Sequence, residues 1–191
     1  MGAFKPLLPF GASTVVETCV ENLKAAGVAE VVVVVGHRAG ELRERLSRLS
    51  LVRFASNEDE ASEMAVSIAR GVGRVAEGAG AVLVALADQP AVPPAATREL
   101  IEVWRRTGAR LVQPEWEGRG GHPVLIDTAL REELLRLDES RGLRALFDAH
   151  RREVLRVPAS TPFVARDMDT WDDYCRLHEE VFGHPPRAEA D

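Results

Sequence analysis

Short apolar runs alternate along this chain with stretches in which apolar residues recur every three or four positions. The run VVVVV at 31–35 has five β-branched residues without alternation, and AVLVALA at 81–87 is a second unbroken run. A strand that is apolar on both sides must be covered on both faces, as in a parallel sheet flanked by helices. LVRFAS, ARLVQP, PVLI and REVLRV predict further strands. Strand and helix alternate throughout, which predicts an α/β fold with a doubly wound, mostly parallel sheet.

The predicted helices carry start signals. Thr14 and Glu17 have the spacing of a capping box ahead of apolar residues at i, i+3, i+4 and i+7. Pro94 suits the first turn of a helix, and Thr170 is expected to cap the last one. Ser140 is expected to cap the helix before it.

Length and composition fit one domain. The chain has 191 residues, of which 46% are apolar, so a sizeable core is expected. We expect a single domain over residues 1–183 and a flexible polar tail over 184–191. No apolar run approaches the roughly 18 residues of a membrane span, and no leader pattern opens the chain. Cys19 and Cys175 have neither metal-site nor disulfide spacing, so a cytoplasmic protein is expected.

The burial of some aromatic residues and histidines can be predicted, from helical spacing for the aromatic residues and from possible partners for the histidines. Trp171 and Tyr174 lie on the apolar stripe of the last predicted helix, which predicts core positions. His150 and His178 have no ligand-like partners in the sequence, and we expect both to be solvated.

Charge narrows the choice of ligand. The net charge of −6 argues against nucleic-acid and anionic-membrane binding, which need a basic face. An anionic small molecule needs only a few local cations, and α/β folds hold such ligands beyond the carboxyl ends of their strands. Asn57 follows LVRFAS, Asp88 and Gln89 follow AVLVALA, and Asp167 and Asp169 precede the last helix. Each aspartate alone is equally explained as a turn or capping residue, but two carboxylates at one edge could hold Mg²⁺ with substrate phosphates.

Six motifs then occur in a fixed order. They are KPLLPFG, VVVVVGHRAGEL, N-x6-M-x2-S-x3-G from Asn57 to Gly71, LADQP, GGHPVL and RDMDTWDDY. The ordered set resembles the molybdopterin nucleotidyltransferase (MobA-like NTP transferase) family, most closely its molybdenum cofactor cytidylyltransferase branch. The resemblance spans nearly all of residues 1–178. It implies a nucleotide-diphospho-sugar-transferase-like, Rossmann-like fold that moves a nucleotidyl group from CTP or another NTP to a phosphate-bearing acceptor.

The resemblance also interprets the start of the sequence. Members carry a loop A-A-G-x-S-x-R-M-G-x-x-K after their first strand, and this chain matches it from Met1 through Gly2 to Lys5. The match implies that Lys5 acts on the triphosphate and that the family's first strand lies outside the sequence given. Since the amides that would cradle the phosphates are then missing, we expect the chain as given to bind CTP weakly.

The remaining roles are carried over from the family pattern. The resemblance implies that Lys5, Asp88 and Asp169 are catalytic. The two aspartates would hold Mg²⁺, with Asp167 as a further metal ligand, and Lys5 would neutralise the triphosphate. The nucleotide-binding residues are Gly2, Lys5, Asn57, Ser67 and Gln89. The residues expected on the acceptor side are Gly121, His122, Gly142 and Arg144.

Three functional hypotheses stay open at this point. The first is Mg²⁺-dependent transfer from an NTP, with CTP favoured, to the terminal phosphate of a molybdenum cofactor (molybdopterin), with release of pyrophosphate. The second is the same transfer to another small phosphorylated acceptor, such as a sugar phosphate. The third is a non-catalytic module that binds molybdopterin and hands it to a client molybdoenzyme or its chaperone.

Overall fold

The computed structural model describes residues 4–59 and 61–186. The strands are β1 (Pro9–Phe10), β2 (Ser13–Thr14), β3 (Val31–Val35), β4 (Val52–Ser56), β5 (Ala81–Val84), β6 (Leu111–Trp116), β7 (Arg119–Gly120), β8 (Val124–Asp127) and β9 (Val154–Pro158). The α-helices are α1 (Val15–Ala25), α2 (Ala39–Leu46), α3 (Met64–Val72), α4 (Pro94–Thr107), α5 (Arg131–Leu135), α6 (Leu143–Ala149) and α7 (Trp171–Phe182). Short 3₁₀ segments lie at Lys5–Leu7, Thr128–Leu130 and Pro162–Ala165. No helix in this part of the chain has the length and apolar character needed to cross a membrane.

The main strands form two separate ladders. β3 and β4 pair in parallel, and β5, β8 and β6 form a second ladder that continues to β7. β9 pairs in parallel with β6 on the opposite edge from β8. Within the described residues, no ladder joins β3 to β5.

The predicted α/β class is confirmed, and the sheet is mixed. The β3–β4 and β6–β9 pairs are parallel as predicted, whereas β8 is antiparallel to both β5 and β6. The reversal begins at the β6–β7 hairpin, where Glu117 and Gly118 have φ of 48° and 79°. Two positive φ values are typical of a tight hairpin turn. Such a short return can only place the next strands antiparallel.

Helices cover both faces of the larger ladder, which confirms the doubly wound arrangement. Leu125 of β8 packs with α4, whereas its neighbour Ile126 packs with α3, α5 and α6. Successive residues of a strand point to opposite faces, so β8 is buried on both. A third cluster joins β3 and β4 to α1 and α2.

Two of the predicted caps are formed by reciprocal bonds. In α1, the Thr14 amide donates to Glu17 Oε2 at 2.8 Å and the Glu17 amide donates to Thr14 Oγ1 at 3.4 Å. Thr170 and Asp173 make the same capping box at the start of α7. These boxes confirm the predicted starts of both helices.

The predicted Ser140 cap is wrong. The residue that precedes α6 is Gly142, with φ 54° and ψ −140° and no side-chain cap. Ser140 instead donates its hydroxyl to Asp138 Oδ1 at 2.7 Å. The same carboxylate accepts the Arg141 amide, so a local turn around Asp138 uses the serine before the helix begins.

The last helix buries different side chains from those expected. Tyr174 is 1% exposed, which confirms its core position, but Trp171 is 47% exposed and was predicted wrongly. His178 was predicted to be solvated, yet it is buried beside the rings of Phe10, Tyr174 and Phe182. His178 lies one helical turn beyond Tyr174 and therefore faces the same cluster, whereas Trp171 lies at the exposed first turn.

The two apolar runs are less buried than predicted. In β3 only Val31 and Val35 are buried, and in β5 only Val82 is. A cavity of about 890 Å³, lined by residues of both strands, lies between them.

Candidate functional site

Charged side chains meet at the carboxyl end of β5. Asp88 follows that strand and is half-buried, and burial raises the pKa of its carboxyl above the usual value of 3.8. The positive charge of Lys5 lowers the pKa of Asp88, whereas the negative charges of Asp169 and Asp167 raise it further. These interactions bring together four of the predicted site residues, which we call the carboxylate rim: Lys5, Asp88, Asp167 and Asp169.

Within the carboxylate rim, Lys5 is paired with Asp169. The Lys5 Nζ lies 3.0 Å from Asp169 Oδ1, and the two side chains are 27% and 74% exposed. An ion pair this exposed contributes at most about 1 kcal/mol to stability. Both partners can therefore exchange this contact for a bound anion or cation at little cost to the fold.

Gln89 adds an unusual acceptor beside Asp88. The side chain is 7% exposed, and its Nε2 donates to the Arg166 carbonyl at 3.2 Å. Its Oε1 is buried without a hydrogen-bond partner among the described residues. A buried acceptor left unpaired costs about 1–3 kcal/mol, so a bound donor or a hydrated cation would be stabilised there.

His122 faces the carboxylate rim in its neutral form. Burial lowers the pKa of its imidazole below 6.5, although the Val84 carbonyl and the charges of Asp167 and Asp88 oppose that shift. Nδ1 lies 3.3 Å from the Val84 carbonyl oxygen. Only a donor satisfies a carbonyl, so Nδ1 carries the proton and Nε2 is an acceptor. In this state Nε2 can accept a hydrogen bond from an acceptor molecule but cannot donate one to its phosphate.

The adjacent Gly121 is required by a close backbone approach. A Cβ at this position would lie 2.2 Å from the Val164 carbonyl oxygen. That carbonyl also accepts the His122 amide at 2.7 Å. The glycine therefore holds the His122 loop against the Pro162–Ala165 segment. Its predicted contact with the acceptor stays a prediction.

A second polar site lies at the carboxyl ends of β3 and β4. Asn57 Nδ2 donates to Ser67 Oγ at 3.0 Å and to Ser62 Oγ at 2.8 Å. These residues line a cavity of about 380 Å³, which we call the amide pocket. Its other lining residues are Val34, Gly36, His37 and Asp59.

Two consecutive residues, Phe4 and Lys5, link the amide pocket to the carboxylate rim. The Phe4 ring meets the ring of His37 edge-on at 6.1 Å, while Lys5 contacts Asp169. From the sequence, His37 is predicted to be a loop residue that follows a strand and lies near the expected ligand site. The structure places it in the lining of the amide pocket.

The two remaining acceptor-side residues predicted from the sequence lie on a different element. Gly142 and Arg144 stand at the start of α6, which packs through Leu143 and Leu146 on the cluster around α3 and α5. In the part of the chain that the structure describes, no hydrogen bond or ion pair links them to the carboxylate rim. Gly2 lies outside the described residues.

No group of three carboxylate, histidine or cysteine side chains forms a ready-made metal site within 4–59 and 61–186. Mg²⁺ often binds through only one or two carboxylates, with substrate phosphates and water as its other ligands. The carboxylate rim offers that kind of oxygen donor set. It therefore fits a cation that arrives with a phosphate ligand better than a permanently held ion.

A lysine, carboxylates and an amide pocket at the strand ends of a doubly wound sheet are the arrangement expected of an α/β protein that binds an anionic small molecule. Comparison with known proteins makes this assignment specific. Residues 1–154 match the MobA-like NTP transferase domain, and the chain belongs to that family. The family match supports nucleotidyl transfer as the general class of activity.

Three relatives illustrate the range of the family. Nicotine blue oxidoreductase of Paenarthrobacter nicotinovorans is 30% identical over 181 residues, which are 91% of this chain and 87% of that protein. Molybdenum cofactor cytidylyltransferase of Escherichia coli K12 is 24% identical over 94% of this chain and 89% of its own length. A crystal structure of Rv0371C from Mycobacterium tuberculosis H37Rv in complex with manganese superposes with a TM-score of 0.75. It is 28% identical and covers 93% of each chain.

Proposed function

We propose that this protein transfers a nucleotidyl group from an NTP, with CTP favoured, to the terminal phosphate of a molybdenum cofactor, releasing pyrophosphate in a Mg²⁺-dependent reaction. The observation that carries the proposal is the carboxylate rim, where Lys5, Asp88 and Asp169 share one strand-end edge. The similarity to a molybdenum cofactor cytidylyltransferase supports the choice of nucleotide and acceptor.

The chemistry asks this chain for positioning and charge neutralisation. The acceptor phosphate is already an anion, so no general base is needed to create the nucleophile. The protein must hold two anions in line and neutralise the charge that builds on the leaving pyrophosphate. Lys5 supplies a mobile positive charge for that leaving group once its exposed pair with Asp169 opens.

The amide pocket would receive the nucleoside. Asn57 offers one amide and Ser67 one hydroxyl, and both groups can donate or accept hydrogen bonds to a base or sugar. The amide pocket has about 380 Å³, within the usual range for small-ligand sites. Because Phe4 and Lys5 connect it to the carboxylate rim, one nucleotide could occupy both.

Asp88 and Asp169 would hold the Mg²⁺, with Asp167 as a neighbouring ligand. The bound ion would neutralise negative charge on the substrate phosphates. The residues fit this ion because hard cations prefer carboxylate oxygens. Burial and, to a smaller extent, the charges of Asp169 and Asp167 raise the pKa of Asp88, and a bound cation would offset the repulsion among these carboxylates. The manganese complex of Rv0371C is consistent with a divalent ion in the family.

Pyrophosphate release tests the proposal. CTP, GTP and ATP are each incubated with the chain and molybdenum cofactor, with and without Mg²⁺. Asp88→Asn keeps the shape of the side chain but removes its charge, and it should abolish Mg²⁺-dependent release. Asp172→Asn is the matched control because Asp172 is an exposed residue in the first turn of α7. Equal turnover in both variants would refute the metal assignment.

The same screen separates the alternative acceptors and the non-catalytic hypothesis. Pyrophosphate release with a sugar phosphate but not with molybdenum cofactor would support the second hypothesis, in which the acceptor is another small phosphorylated molecule. Molybdopterin binding without pyrophosphate release from any NTP would favour a module that delivers the cofactor to a client molybdoenzyme or its chaperone.

A second candidate function is suggested by a single observation. The chain is more similar to a nicotine blue oxidoreductase, at 30% identity, than to the cytidylyltransferase, at 24%. We therefore infer that oxidation or reduction of nicotine blue is the activity to test next. Loss of nicotine blue absorbance with NADH or NADPH, and no release of pyrophosphate from any NTP, would establish it over nucleotidyl transfer.

A further inference from the structure

We propose that Gln89 is a positioning residue that ties the loop of Asp88 to the segment 166–169 and so fixes the spacing of the carboxylates in the carboxylate rim. The Gln89 side chain is 7% exposed, and its Nε2 donates to the Arg166 carbonyl oxygen at 3.2 Å, across 77 positions of sequence. Asp88 directly precedes Gln89, and Asp167 directly follows Arg166. This role differs from the nucleotide contact that the resemblance implies, and it rests on the proposed binding of a divalent cation by the rim.

The backbone around Gln89 is fixed to helix α1. Asn22 of that helix donates from its Nδ2 to the carbonyl oxygens of Pro90 and Val92, at 2.8 and 3.0 Å. The Val92 amide in turn donates to the Gln89 carbonyl oxygen at 3.4 Å. A side chain that starts from a segment held in this way can keep a second segment at a constant distance.

The second segment, 166–169, is held mainly by apolar packing. Met168 is 1% exposed and lies in a cluster with Tyr174, against which Ala91 also packs. Apolar burial is non-directional, so it brings the two segments together without fixing how their carboxylates are aligned. A hydrogen bond is directional. In the part of the chain that the structure describes, the bond from Gln89 is the one hydrogen bond that joins the segments 88–92 and 166–169.

The other atom of the same amide is an acceptor that the chain leaves unused. Gln89 Oε1 is buried and has no hydrogen-bond partner among the described residues. Because Oε1 and Nε2 belong to one planar amide, the bond to the Arg166 carbonyl also fixes where Oε1 lies. Buried polar atoms are rarely left unpaired, so the missing donor comes from a water or a ligand. A hydrated cation brings such donors, since Mg²⁺ usually keeps several of its waters in protein sites.

A neutral amide suits this position because the carboxylate rim is already rich in negative charge. The charges of Asp169 and Asp167 act unfavourably on the carboxylate of Asp88, and like charges favour a wider spacing. Gln89 holds the two segments together without adding a further charge. Groups of this kind, which orient metal ligands without touching the metal, typically change metal affinity about 10–100-fold when they are removed. Gln89 should therefore affect cation affinity more than it affects the fold.

The test compares the same substitution at the two glutamines of the chain. Gln89→Met keeps the length of the side chain and removes both the donor and the unpaired oxygen, whose effects on stability oppose each other, so the variant is expected to fold. Gln113→Met is the matched control, since Gln113 is partly buried on β6 and its Nε2 makes only a long contact, 3.5 Å, with the Gly121 carbonyl oxygen.

Calorimetry measures the binding of Mn²⁺ in the presence of pyrophosphate. Gln89→Met should weaken that binding about tenfold or more, and Gln113→Met should match the parent. The electron paramagnetic resonance lines of the bound Mn²⁺ should broaden in Gln89→Met only, because the spacing of its carboxylate ligands becomes less uniform. Gln89→Asn keeps the amide but is one methylene too short to reach the Arg166 carbonyl. It should show the same loss, and it replaces Gln89→Met if that variant does not fold.

Asp88→Asn separates this inference from the proposed function. If Asp88→Asn loses Mn²⁺ binding while Gln89→Met binds as tightly as Gln113→Met, the role of Gln89 is overturned and the proposed cation site stands. A Gln89→Met protein that is less stable to urea but has unchanged Mn²⁺ affinity and spectrum would show that Gln89 only supports the fold, which also overturns the inference. If the parent binds Mn²⁺ no better than Asp88→Asn, the cation site of the proposed function is wrong and the role of Gln89 falls with it.

Discussion

Replacing Gly121 by alanine is the sharpest structural test of the His122 loop. The new Cβ would lie 2.2 Å from the Val164 carbonyl oxygen, 2.6 Å from its carbon and 3.1 Å from the Val164 Cβ. Two of these are backbone atoms, and Val164 is fully buried. No flexible side chain can yield, so the two segments must separate.

The cost follows from two contributions. Overpacking of a tight interior costs about 1–3 kcal/mol. Separation also breaks the 2.7 Å bond from the His122 amide to the Val164 carbonyl, which is worth about 0.5–1.5 kcal/mol. We expect Gly121→Ala to lower the free energy of unfolding by about 2–4 kcal/mol. For a chain of this length that corresponds to a fall in Tm of about 5–15 °C.

Gly40→Ala is the matched control for this experiment. Gly40 lies in helix α2, and a Cβ there meets nothing within 4 Å. Alanine in a helix is favoured over glycine by about 0.5–1 kcal/mol, so this variant should be slightly more stable than the parent. Urea and thermal unfolding measure both variants. A Gly121→Ala protein as stable as Gly40→Ala would refute the packing argument.

Other perturbations have equally direct outcomes. In calorimetry, Lys5→Ala should weaken CTP binding about tenfold or more and CMP binding far less, because Lys5 would bond to the terminal phosphates that CMP lacks. Equal losses for both nucleotides would contradict a role of Lys5 at those phosphates. Burial raises the pKa of the Cys19 thiol to about 12, so Cys19 should react with a thiol reagent only after unfolding, and rapid labelling of the native chain at Cys19 would contradict this. Glu153 and Glu133 raise the pKa of His150 above 6.5. The contribution of protonated His150 to the free energy of unfolding should therefore be complete below pH 6.5. It should be lost as the pH rises through the higher pKa that His150 has in the folded state. His150→Gln should flatten that part of the urea stability profile, and an unchanged slope would count against the ion pairs.

Ligands of α/β folds bind beyond the carboxyl ends of the strands. This rule indicated which residues would be neighbours but not how they would pair. Asp88, which follows β5, and Asp169, which precedes α7, interact electrostatically at one edge, where ligands of α/β sheets usually bind. Asp169 is paired with Lys5, which lies 164 positions earlier in the chain. Such a contact depends on loop conformation and rotamers, which leave no periodic signal in a sequence.

Element lengths were also set by partners that the sequence pattern does not reveal. The run 81–87 predicted one long strand, but β5 ends at Val84. Its ladder partner β8 begins opposite that residue, at Val124. The residue before it is Pro123, which has no amide hydrogen to continue the ladder. Apolar composition was thus sufficient to predict the strand and insufficient to place its end.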